Sequence, residues 1–403
     1  MTGLQSKRMA AVQSPVIPNV AALIRNNPGT ISLGQGVVHY GPPRQALKAI
    51  QDFGRMPTDH HYRSADGIPE LQQALRVKLA AENSIHIDDD EQVLFVTAGS
   101  NMAFYHVLLS ICDPGDEVII MSPFYFNHEM AIGMANARAV VVPSDERYGL
   151  QLDAIEAAIT DRTRMVVTIS PNNPAGVVYD PEALRQVNEL CRERGIYHVN
   201  DEAYEYFIYA DARHLSPGSL ADSAGHTISL FSFSKSYGLA NWRVGYMVAP
   251  RPLMQALQKS QDTILICPPV ISQFVAVGAL RAGPGYCRAY VEGIDAVRQM
   301  CLQRLQELAP HCVVPEANGA FYLLARLHTP LSSMAVVEQL VREHQVAVIP
   351  GSGFGLNDAC YLRIAYGALE ADTVEDGMDR LVRGLQTILK RPDGNRPDAT
   401  ESG

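Results

Sequence analysis

A lysine preceded by small hydroxyl residues is the most reactive feature of this sequence. Lys235 follows a predicted strand, Ser232 and Ser234 come just before it, and Arg243 stands eight residues later. A lysine amine becomes a nucleophile when its surroundings keep it neutral. A solvated surface lysine would have charged neighbours, whereas these neighbours are small or apolar. Hydroxyl and guanidinium groups bind phosphate, so Ser232, Ser234 and Arg243 predict a phosphate site beside the amine.

Polar or aromatic side chains also follow three other predicted strands. Asp201, Asn173 and Tyr125 each come within a few residues of a strand end. A carboxylate that ends a buried strand needs a cationic or hydrogen-bonding partner. Each residue also has a simpler interpretation, with Asp201 as a helix cap, Asn173 as part of a turn and Tyr125 as a core residue.

The turn Thr97-Ala98-Gly99-Ser100-Asn101 opens a predicted helix. The free backbone N–H groups at the start of a helix attract anions, although many such turns only begin a helix. If this turn, the amine and the carboxylate lie at one edge of a sheet, they form a site for a phosphorylated, protonatable aromatic ring.

The elements that must position these residues alternate between strand and helix. The predicted strands are 92–96, 117–121, 164–169, 196–200 and 227–232, and the predicted helices are 101–112, 151–159 and 181–194. This alternation predicts an α/β fold whose mostly parallel sheet is covered by helices on both faces. Ligands of such sheets bind at the carboxyl ends of the strands, where the polar side chains are expected to meet.

The pattern changes near residue 285. Long helices are followed by short strands at 320–324, 346–349 and 361–365, which predicts a smaller α+β domain. We expect a large domain over 45–285, a small domain formed by 1–44 and 286–390, and a flexible tail at 391–403.

The composition predicts a globular protein in a reducing compartment. The 403 residues include 33 Lys plus Arg and 43 Asp plus Glu, so the net charge is −10. That charge argues against nucleic acid or an anionic membrane as a partner. Seven cysteines without CxxC spacing predict reduced thiols in a cytoplasmic protein and no metal site. The apolar stretch 264–280 contains Pro268 and Pro269 and is expected to be a buried helix rather than a membrane span.

The stretch Ser232–Gly245 resembles in full the lysine signature of the class I/II pyridoxal-phosphate aminotransferases, which have fold type I. Other motifs of the family stand in its order and approximate spacing: Leu33-Gly34-Gln35-Gly36, Tyr62, Gly67-Ile68-Pro69-Glu70-Leu71, Asn173-Pro174-Ala175-Gly176, Asp201-Glu202-Ala203-Tyr204 and Arg363. This order is more specific than the lysine signature alone. The resemblance implies an aminotransferase that moves an amino group between an L-amino acid and a 2-oxo acid.

The resemblance also implies a role for each residue around the cofactor, pyridoxal 5′-phosphate. Lys235 would hold the cofactor as a Schiff base and carry a proton between the substrate Cα and the cofactor C4′. Asp201 would pair with the pyridine nitrogen and keep it protonated. Tyr204 and Asn173 would hydrogen-bond the phenolic oxygen, and Tyr125 would stack on the ring.

Phosphate and substrate sites follow from the same resemblance. The phosphate would lie against Ser100, Asn101, Ser232, Ser234 and Arg243. Tyr62 from a neighbouring subunit would also reach it, which implies a homodimer with shared active sites. Arg363 would bind the substrate α-carboxylate through two parallel bonds, supported by Asn173 and the backbone at Gly36.

Two departures from the family pattern concern the substrate. Val37-Val38-His39-Tyr40 stands where many members read Gly-x-Pro after the glycine, so His39 or Tyr40 either contacts substrate or packs within the loop. Asn101 is neutral where an aspartate-specific subgroup has a lysine, which weakens an aspartate-specific interpretation.

Two alternative functions use the same residues. A carbon–sulfur lyase of the same fold would share the cofactor site, and the sequence separates the two activities poorly. Ser232-Phe233-Ser234-Lys235 also spells the SxxK motif of penicillin-recognising serine hydrolases. That class needs a late Lys-Thr/Ser-Gly strand, which this chain lacks.

Overall fold

The computed structural model describes residues 6–390, so the predicted tail at 391–403 lies outside the described residues. The strands, in chain order, are β1 (Ile31–Ser32), β2 (Gln92–Thr97), β3 (Glu117–Ser122), β4 (Arg138–Pro143), β5 (Thr163–Ile169), β6 (Tyr197–Asp201), β7 (Thr227–Ser232), β8 (Gly245–Pro250), β9 (Cys312–Val313), β10 (Tyr322–Leu327), β11 (Val346–Ala347), β12 (Ile349–Pro350) and β13 (Cys360–Ala365). The α-helices are α1 (Lys7–Ala11), α2 (Val16–Arg25), α3 (Arg44–Asp52), α4 (Pro69–Glu82), α5 (Ser100–Ile111), α6 (Phe126–Met134), α7 (Leu152–Ala158), α8 (Pro181–Arg194), α9 (Phe233–Ser236), α10 (Met254–Leu265), α11 (Val270–Ala282), α12 (Gly285–Gln306), α13 (Ser333–His344) and α14 (Ala371–Lys390).

The central sheet has the strand order β2-β8-β7-β6-β5-β3-β4. Strand β8 runs antiparallel to both of its neighbours, and the other neighbouring strands are parallel. The predicted, mostly parallel α/β sheet is therefore confirmed. Because β5, β6 and β7 are parallel neighbours, their carboxyl ends at Ile169, Asp201 and Ser232 lie along one edge of the sheet.

Helices cover both faces of this sheet. Along β2, Leu94 and Val96 pack in a cluster with residues of α4 and α11. Val93 and Phe95, on the opposite face, pack with residues of α5. Burial on both faces explains why these strands are apolar throughout instead of alternating with polar residues.

Local sequence signals explain one of the covering helices well. The Asp180 carboxylate accepts hydrogen bonds from the backbone N–H groups of Glu182 and Ala183 at 2.8 and 3.1 Å, which caps α8 at its N-terminus. Pro181 fills the first turn, and Gly195 ends the helix with φ 64°, a conformation that favours glycine. The predicted boundaries of this helix are confirmed.

A second, antiparallel sheet has the order β12-β13-β10-β9. It is built from the C-terminal part of the chain, but the N-terminal segment packs with it through the parallel pair β1–β11. The N–H of Leu33 donates to Ala347, and the N–H of Ala365 donates to Leu33, at 2.8 and 2.7 Å. These bonds fix the loop after β1, which includes Gly34 and Gly36, beside β13.

The structure corrects two sequence-based expectations about single elements. The stretch 264–280 is not one helix, because α10 ends at Leu265 and α11 begins at Val270 after a bend of 120°. Ile266 has φ 68° there, and Pro268 and Pro269 cannot continue a helix. The predicted strand 346–349 is divided, because β11 pairs with β1 whereas β12 pairs with β13.

No single helix between residues 6 and 390 is both long and apolar enough to cross a membrane. The bent pair Arg251–Leu265 and Val270–Ala282 meets the length and composition criteria only when its two parts are taken together.

Candidate active site

A cavity of about 120 Å³ lies at the carboxyl ends of β5, β6 and β7. Most of the site residues predicted from the sequence line it. The lining residues are Ser100, Asn101, Tyr125, Ile169, Asn173, Asp201, Ala203, Tyr204, Ser232, Ser234, Lys235 and Arg243. Convergence at one sheet edge follows from the parallel order of the three strands.

Lys235 lies on the single-turn helix α9, directly after β7. The Ser232 hydroxyl accepts a hydrogen bond from the N–H of Ser234 at 3.1 Å and caps this turn. The amine of Lys235 donates to the carbonyl oxygen of Gly36, which brings the predicted backbone of Gly36 into the site. Burial, followed by the charges of Arg243 and Arg363, lowers the pKa of Lys235 to about 8. A larger fraction of this amine is therefore neutral near pH 7 than is usual for lysine.

Asp201 is the buried carboxylate of the cavity, with 4% of its surface exposed. Its Oδ1 accepts a hydrogen bond from the N–H of Ala203 at 3.1 Å. Its Oδ2 lies 3.2 Å from Nε2 of His128, a side chain that is almost completely buried. No sequence pattern indicates a contact between positions 128 and 201, which lie far apart in the chain.

A network of polar side chains connects the cavity to β13. The Asn173 amide donates to the Tyr204 hydroxyl at 3.2 Å, and its oxygen accepts from Nη1 of Arg363 at 3.0 Å. The Tyr204 and Tyr322 hydroxyls lie 2.7 Å apart. Burial, followed by the neighbouring Tyr322, raises the pKa of Tyr204 well above its usual range. Both hydroxyls therefore stay protonated and act as hydrogen-bonding groups.

Arg363 is a buried cation with an unused donor. Only 2% of its surface is exposed, and Nη2 donates to the Gly34 carbonyl at 2.7 Å. Nε has no hydrogen-bond partner among residues 6–390. The guanidinium lies 4.6 Å from the ring centre of Tyr322 and 5.0 Å from that of Phe354. An unpaired donor on a buried cation is costly, so this site suits an incoming carboxylate.

Gly99, Ser100, Ser234 and Arg243 converge at the start of α5. Gly99 has φ 87°, and a Cβ atom there would lie 2.4 Å from Nη2 of Arg243, so only glycine permits this approach. Nη1 of Arg243 donates to the Ala240 carbonyl at 2.7 Å and lies 3.5 Å from the Ser234 hydroxyl. A helix start, a hydroxyl and a guanidinium together form a site for a phosphate-sized anion.

The aromatic residues of the prediction occupy different positions. Tyr125 lines the cavity, its ring lies 5.2 Å from that of His128, and burial raises its pKa. Tyr62 does not line the cavity in this chain and is 77% exposed. Tyr322, which the sequence did not single out, contacts Tyr204 and approaches Gly36, where an added Cβ would lie 2.7 Å from the Tyr322 hydroxyl.

The fold and the site together define a fold-type-I aminotransferase structure. The sequence profile of the family "Aminotransferase class I and II" matches residues 28–381. The chain is 33% identical over 396 residues to aromatic aminotransferase ISS1 of Arabidopsis thaliana, which covers 96% of this chain and 98% of the relative. It is 31% identical over 390 residues to the aspartate aminotransferase of Pyrococcus abyssi, which covers 94% and 98%.

Solved structures agree with this relationship. A double mutant of the Thermus thermophilus aspartate aminotransferase superposes with a TM-score of 0.87 at 28% identity, over 96% of this chain and all of that chain. This chain therefore belongs to the class I and II aminotransferases. It is an aminotransferase, and its family depends on pyridoxal phosphate.

Proposed function

We propose that this chain binds pyridoxal phosphate covalently at Lys235 and transfers amino groups between an L-amino acid and a 2-oxo acid. The observation that carries the proposal is the shared cavity of Lys235 and Asp201, an amine of lowered pKa and a buried carboxylate. Apart from these two, the charged side chain among the described lining residues is Arg243, at the phosphate-sized anion site.

The cavity residues match the cofactor group by group. Asp201 suits a protonated ring nitrogen, and Asn173 and Tyr204 suit a phenolic oxygen. Tyr125 supplies an aromatic face. The residues that would hold the phosphate are Ser100, Asn101, Ser232, Ser234 and Arg243. The close approach of Arg243 to Gly99, which a Cβ would block, supports this end of the assignment.

The chemistry divides between the cofactor and the chain. When bound, pyridoxal phosphate supplies an electron sink, which accepts the electron pair left on the substrate Cα after its proton is removed. Lys235 supplies the base, because a neutral Nζ can accept the Cα proton and return it as an acid. Asp201 supplies a buried carboxylate, and Nε2 of His128 lies 3.2 Å from its Oδ2.

Arg363 is proposed to bind the substrate α-carboxylate, with Asn173 and the Gly36 loop in support. Asn173 and the Gly34 carbonyl hold the two terminal nitrogens of the guanidinium in a fixed plane. A planar fork held in this way pairs with a carboxylate through two bonds, which an ammonium group cannot do.

We propose that neutral amino acids, aromatic ones included, are the preferred donors. Asn101 on the cavity wall is neutral, and Lys235 and Arg243 are the only cationic side chains among the described lining residues. The names of the relatives include both aromatic and aspartate aminotransferases. Comparing kcat/KM for phenylalanine, tyrosine, methionine and aspartate tests this preference, and a higher value for aspartate would contradict it.

The assembly is proposed to be a homodimer in which Tyr62 reaches the phosphate of the neighbouring site. Tyr62 is 77% exposed in this chain, so its side chain is accessible to another subunit.

We also propose a two-domain organisation and a cytoplasmic location. The large domain comprises 45–285, and the small domain comprises 1–44 with 286–390, which is supported by the separation of the seven-stranded sheet from the four-stranded and two-stranded sheets. The seven cysteines are all unbridged thiols, which suits a reducing compartment.

Borohydride reduction of the purified holoenzyme tests the central assignment. We expect a cofactor adduct on Lys235 by mass spectrometry, and no adduct and no transfer in Lys235→Ala. A cofactor adduct elsewhere, or none, would overturn the proposal. Release of pyruvate or sulfide without an added 2-oxo acid would favour the carbon–sulfur lyase.

A further inference from the structure

Tyr40 contacts the peptide of the proposed catalytic lysine, although its side chain lies outside the cavity lining. The residue is buried, with 7% of its surface exposed. Its hydroxyl lies 3.1 Å from the carbonyl oxygen of Lys235 and 3.4 Å from that of Ser236. These two carbonyls end the helix α9.

The single-turn helix α9 needs such a contact. The last carbonyls of any helix have no partner within the helix, and one turn leaves almost all of them free. Within the backbone, the carbonyl of Lys235 accepts from the N–H of Tyr237, which also donates to the carbonyl of Phe233, and from the N–H of Gly238 at a long 3.4 Å. The Tyr40 hydroxyl adds a side-chain hydrogen bond to this carbonyl at 3.1 Å.

The Tyr40 side chain is itself held from two directions by α12. Its ring stacks on Tyr290, with centres 4.0 Å apart and an interplanar angle of 12°. Its oxygen lies 3.3 Å from Sγ of Cys287, a fully buried thiol. A hydroxyl has one proton, so Tyr40 can donate to Lys235 while it accepts from the Cys287 thiol.

The same loop also touches the other end of the lysine. The Gly36 carbonyl accepts a hydrogen bond from Nζ of Lys235. The Tyr40 hydroxyl donates a hydrogen bond to the main-chain carbonyl of Lys235. Residues 36 and 40 thus fix both the amine and the peptide of position 235. This contact gives a specific use to the segment in which the chain departs from the family pattern.

We propose that Tyr40 is a positioning residue for Lys235, oriented by Cys287 and by its stack on Tyr290. The proposal rests on the proposed role of Lys235. According to the proposal, Tyr40 acts by contacting helix α9 and not by contacting the substrate. Loss of the hydroxyl should loosen the turn, let water reach the amine and return the pKa of Lys235 toward that of a free lysine.

Tyr40→Phe tests the proposal, with Tyr290→Phe as the matched control. The first variant keeps the stacked ring and loses the bond to Lys235, whereas the second loses a hydroxyl that makes no contact with α9. In the holoenzyme we expect Tyr40→Phe to lower kcat about tenfold, the effect of one lost hydrogen bond, with little change in KM. Tyr290→Phe should stay within about twofold of the parent enzyme.

A second readout does not depend on catalysis. In the full chain stripped of cofactor, the pH dependence of Lys235 acylation, followed by mass spectrometry, reports the pKa of the amine. Tyr40→Phe should raise that pKa above the parent value, and Tyr290→Phe should not. Equal pKa values and equal kcat in the two variants would overturn the proposal.

The pair Cys287→Ser and Cys287→Ala keeps the proposal testable if Tyr40→Phe fails to fold. Serine retains a donor to Tyr40, so kcat and the pKa of Lys235 should stay closer to the parent than in the alanine variant. Identical behaviour of the two variants would count against the proposal. Absence of a borohydride adduct in the parent enzyme would refute the proposed function instead. The acylation measurement would still test whether Tyr40 affects the pKa of Lys235.

Discussion

At the residue scale, Lys235 combines a reactive amine with a cost to stability. Burial and the charges of Arg243 and Arg363 lower its pKa from the usual 10.5 to about 8. Such a shift means that the native protein holds the proton less tightly than the unfolded chain does. Its surroundings therefore raise the fraction of neutral amine, the form that the proposed role requires.

Lys235→Met should stabilise the chain stripped of cofactor by about 2–3 kcal/mol at pH 7, because it removes a charged group from a desolvated position. The stability of the parent should rise between pH 8 and 10.5, where the native amine loses its proton before the unfolded one. The stability that Lys235→Met gains over the parent should therefore decrease between pH 8 and 10.5. Urea unfolding at several pH values measures the difference, and the exposed Lys259→Met serves as control. A difference independent of pH would contradict the expectation.

His128 lies beside the Asp201 carboxylate, with Nε2 3.2 Å from Oδ2. His128→Asn should lower kcat about tenfold through loss of this close polar contact, with a smaller effect on KM. His106→Asn changes a buried histidine that bonds to Ser260 at 2.8 Å outside the cavity, so it should affect stability more than kcat. Steady-state kinetics of both variants decide the point, and equal losses of kcat would speak against a role for His128.

The carboxylate binding proposed for Arg363 depends on the shape of its side chain as well as its charge. Arg363→Lys keeps the charge but loses the fork, so KM for the amino donor should rise about tenfold or more. Arg326→Lys, on the neighbouring strand, provides the control because that arginine is exposed. An unchanged KM in Arg363→Lys would contradict the proposal that the substrate carboxylate binds at Arg363.

At the element scale, the turn after β6 separates two sets of side chains. Asp201 and Tyr204 line the cavity, whereas Glu202 and Glu205 join a buried polar network behind it. Glu205 pairs with Lys78 at 2.6 Å, and Glu202 lies 2.9 Å from His214. The network anchors the turn that carries the cavity residues.

Lys78→Met should destabilise the protein by about 3–5 kcal/mol, because it leaves the Glu205 carboxylate buried without its cation. The double variant Lys78→Met with Glu205→Gln should recover part of that loss. Arg185→Met, which breaks an exposed pair with Glu182, should change stability by less than about 1 kcal/mol. Urea titration compares the three, and a small effect of Lys78→Met would show that the network does not anchor the turn.

At the scale of the whole molecule, the position of Tyr62 distinguishes a shared site from a self-contained one. Tyr62→Ala and Lys235→Ala should each have low activity alone. A mixed dimer of the two should regain one complete site, because the lysine of one subunit would meet the tyrosine of the other. Unfolding and refolding the mixed variants, followed by activity and mass measurements, tests this expectation. Activity no higher than the average of the two variants would place Tyr62 outside the neighbouring site.

Much of the site was predictable because its residues follow strands whose patterns are local. Asp201 and Lys235 each come directly after or within a few residues of a buried apolar run, and a parallel sheet must bring such ends together. Asp180, Pro181 and Gly195 likewise defined α8, since capping depends on neighbours in the chain.

Side chains joined across long sequence distances were not predictable in this way. The contacts of His128 with Asp201 and of Tyr322 with Tyr204 depend on how separate elements pack, and no spacing encodes them. Strand β8 was missed as well, because its antiparallel place between β2 and β7 is a property of the sheet and not of its own six residues.

The amino-acid sequence by itself determined the kind of chemistry, since a strand-end lysine, a strand-end carboxylate and a helix-start turn are each written within short segments. Only the tertiary structure decided how the lysine is held and how far its pKa falls. Those properties arise from Gly36, Tyr40 and Arg363, residues far from position 235 in the chain that folding brings beside it. Burial and charge act through space, so they exist only once these distant segments have packed together.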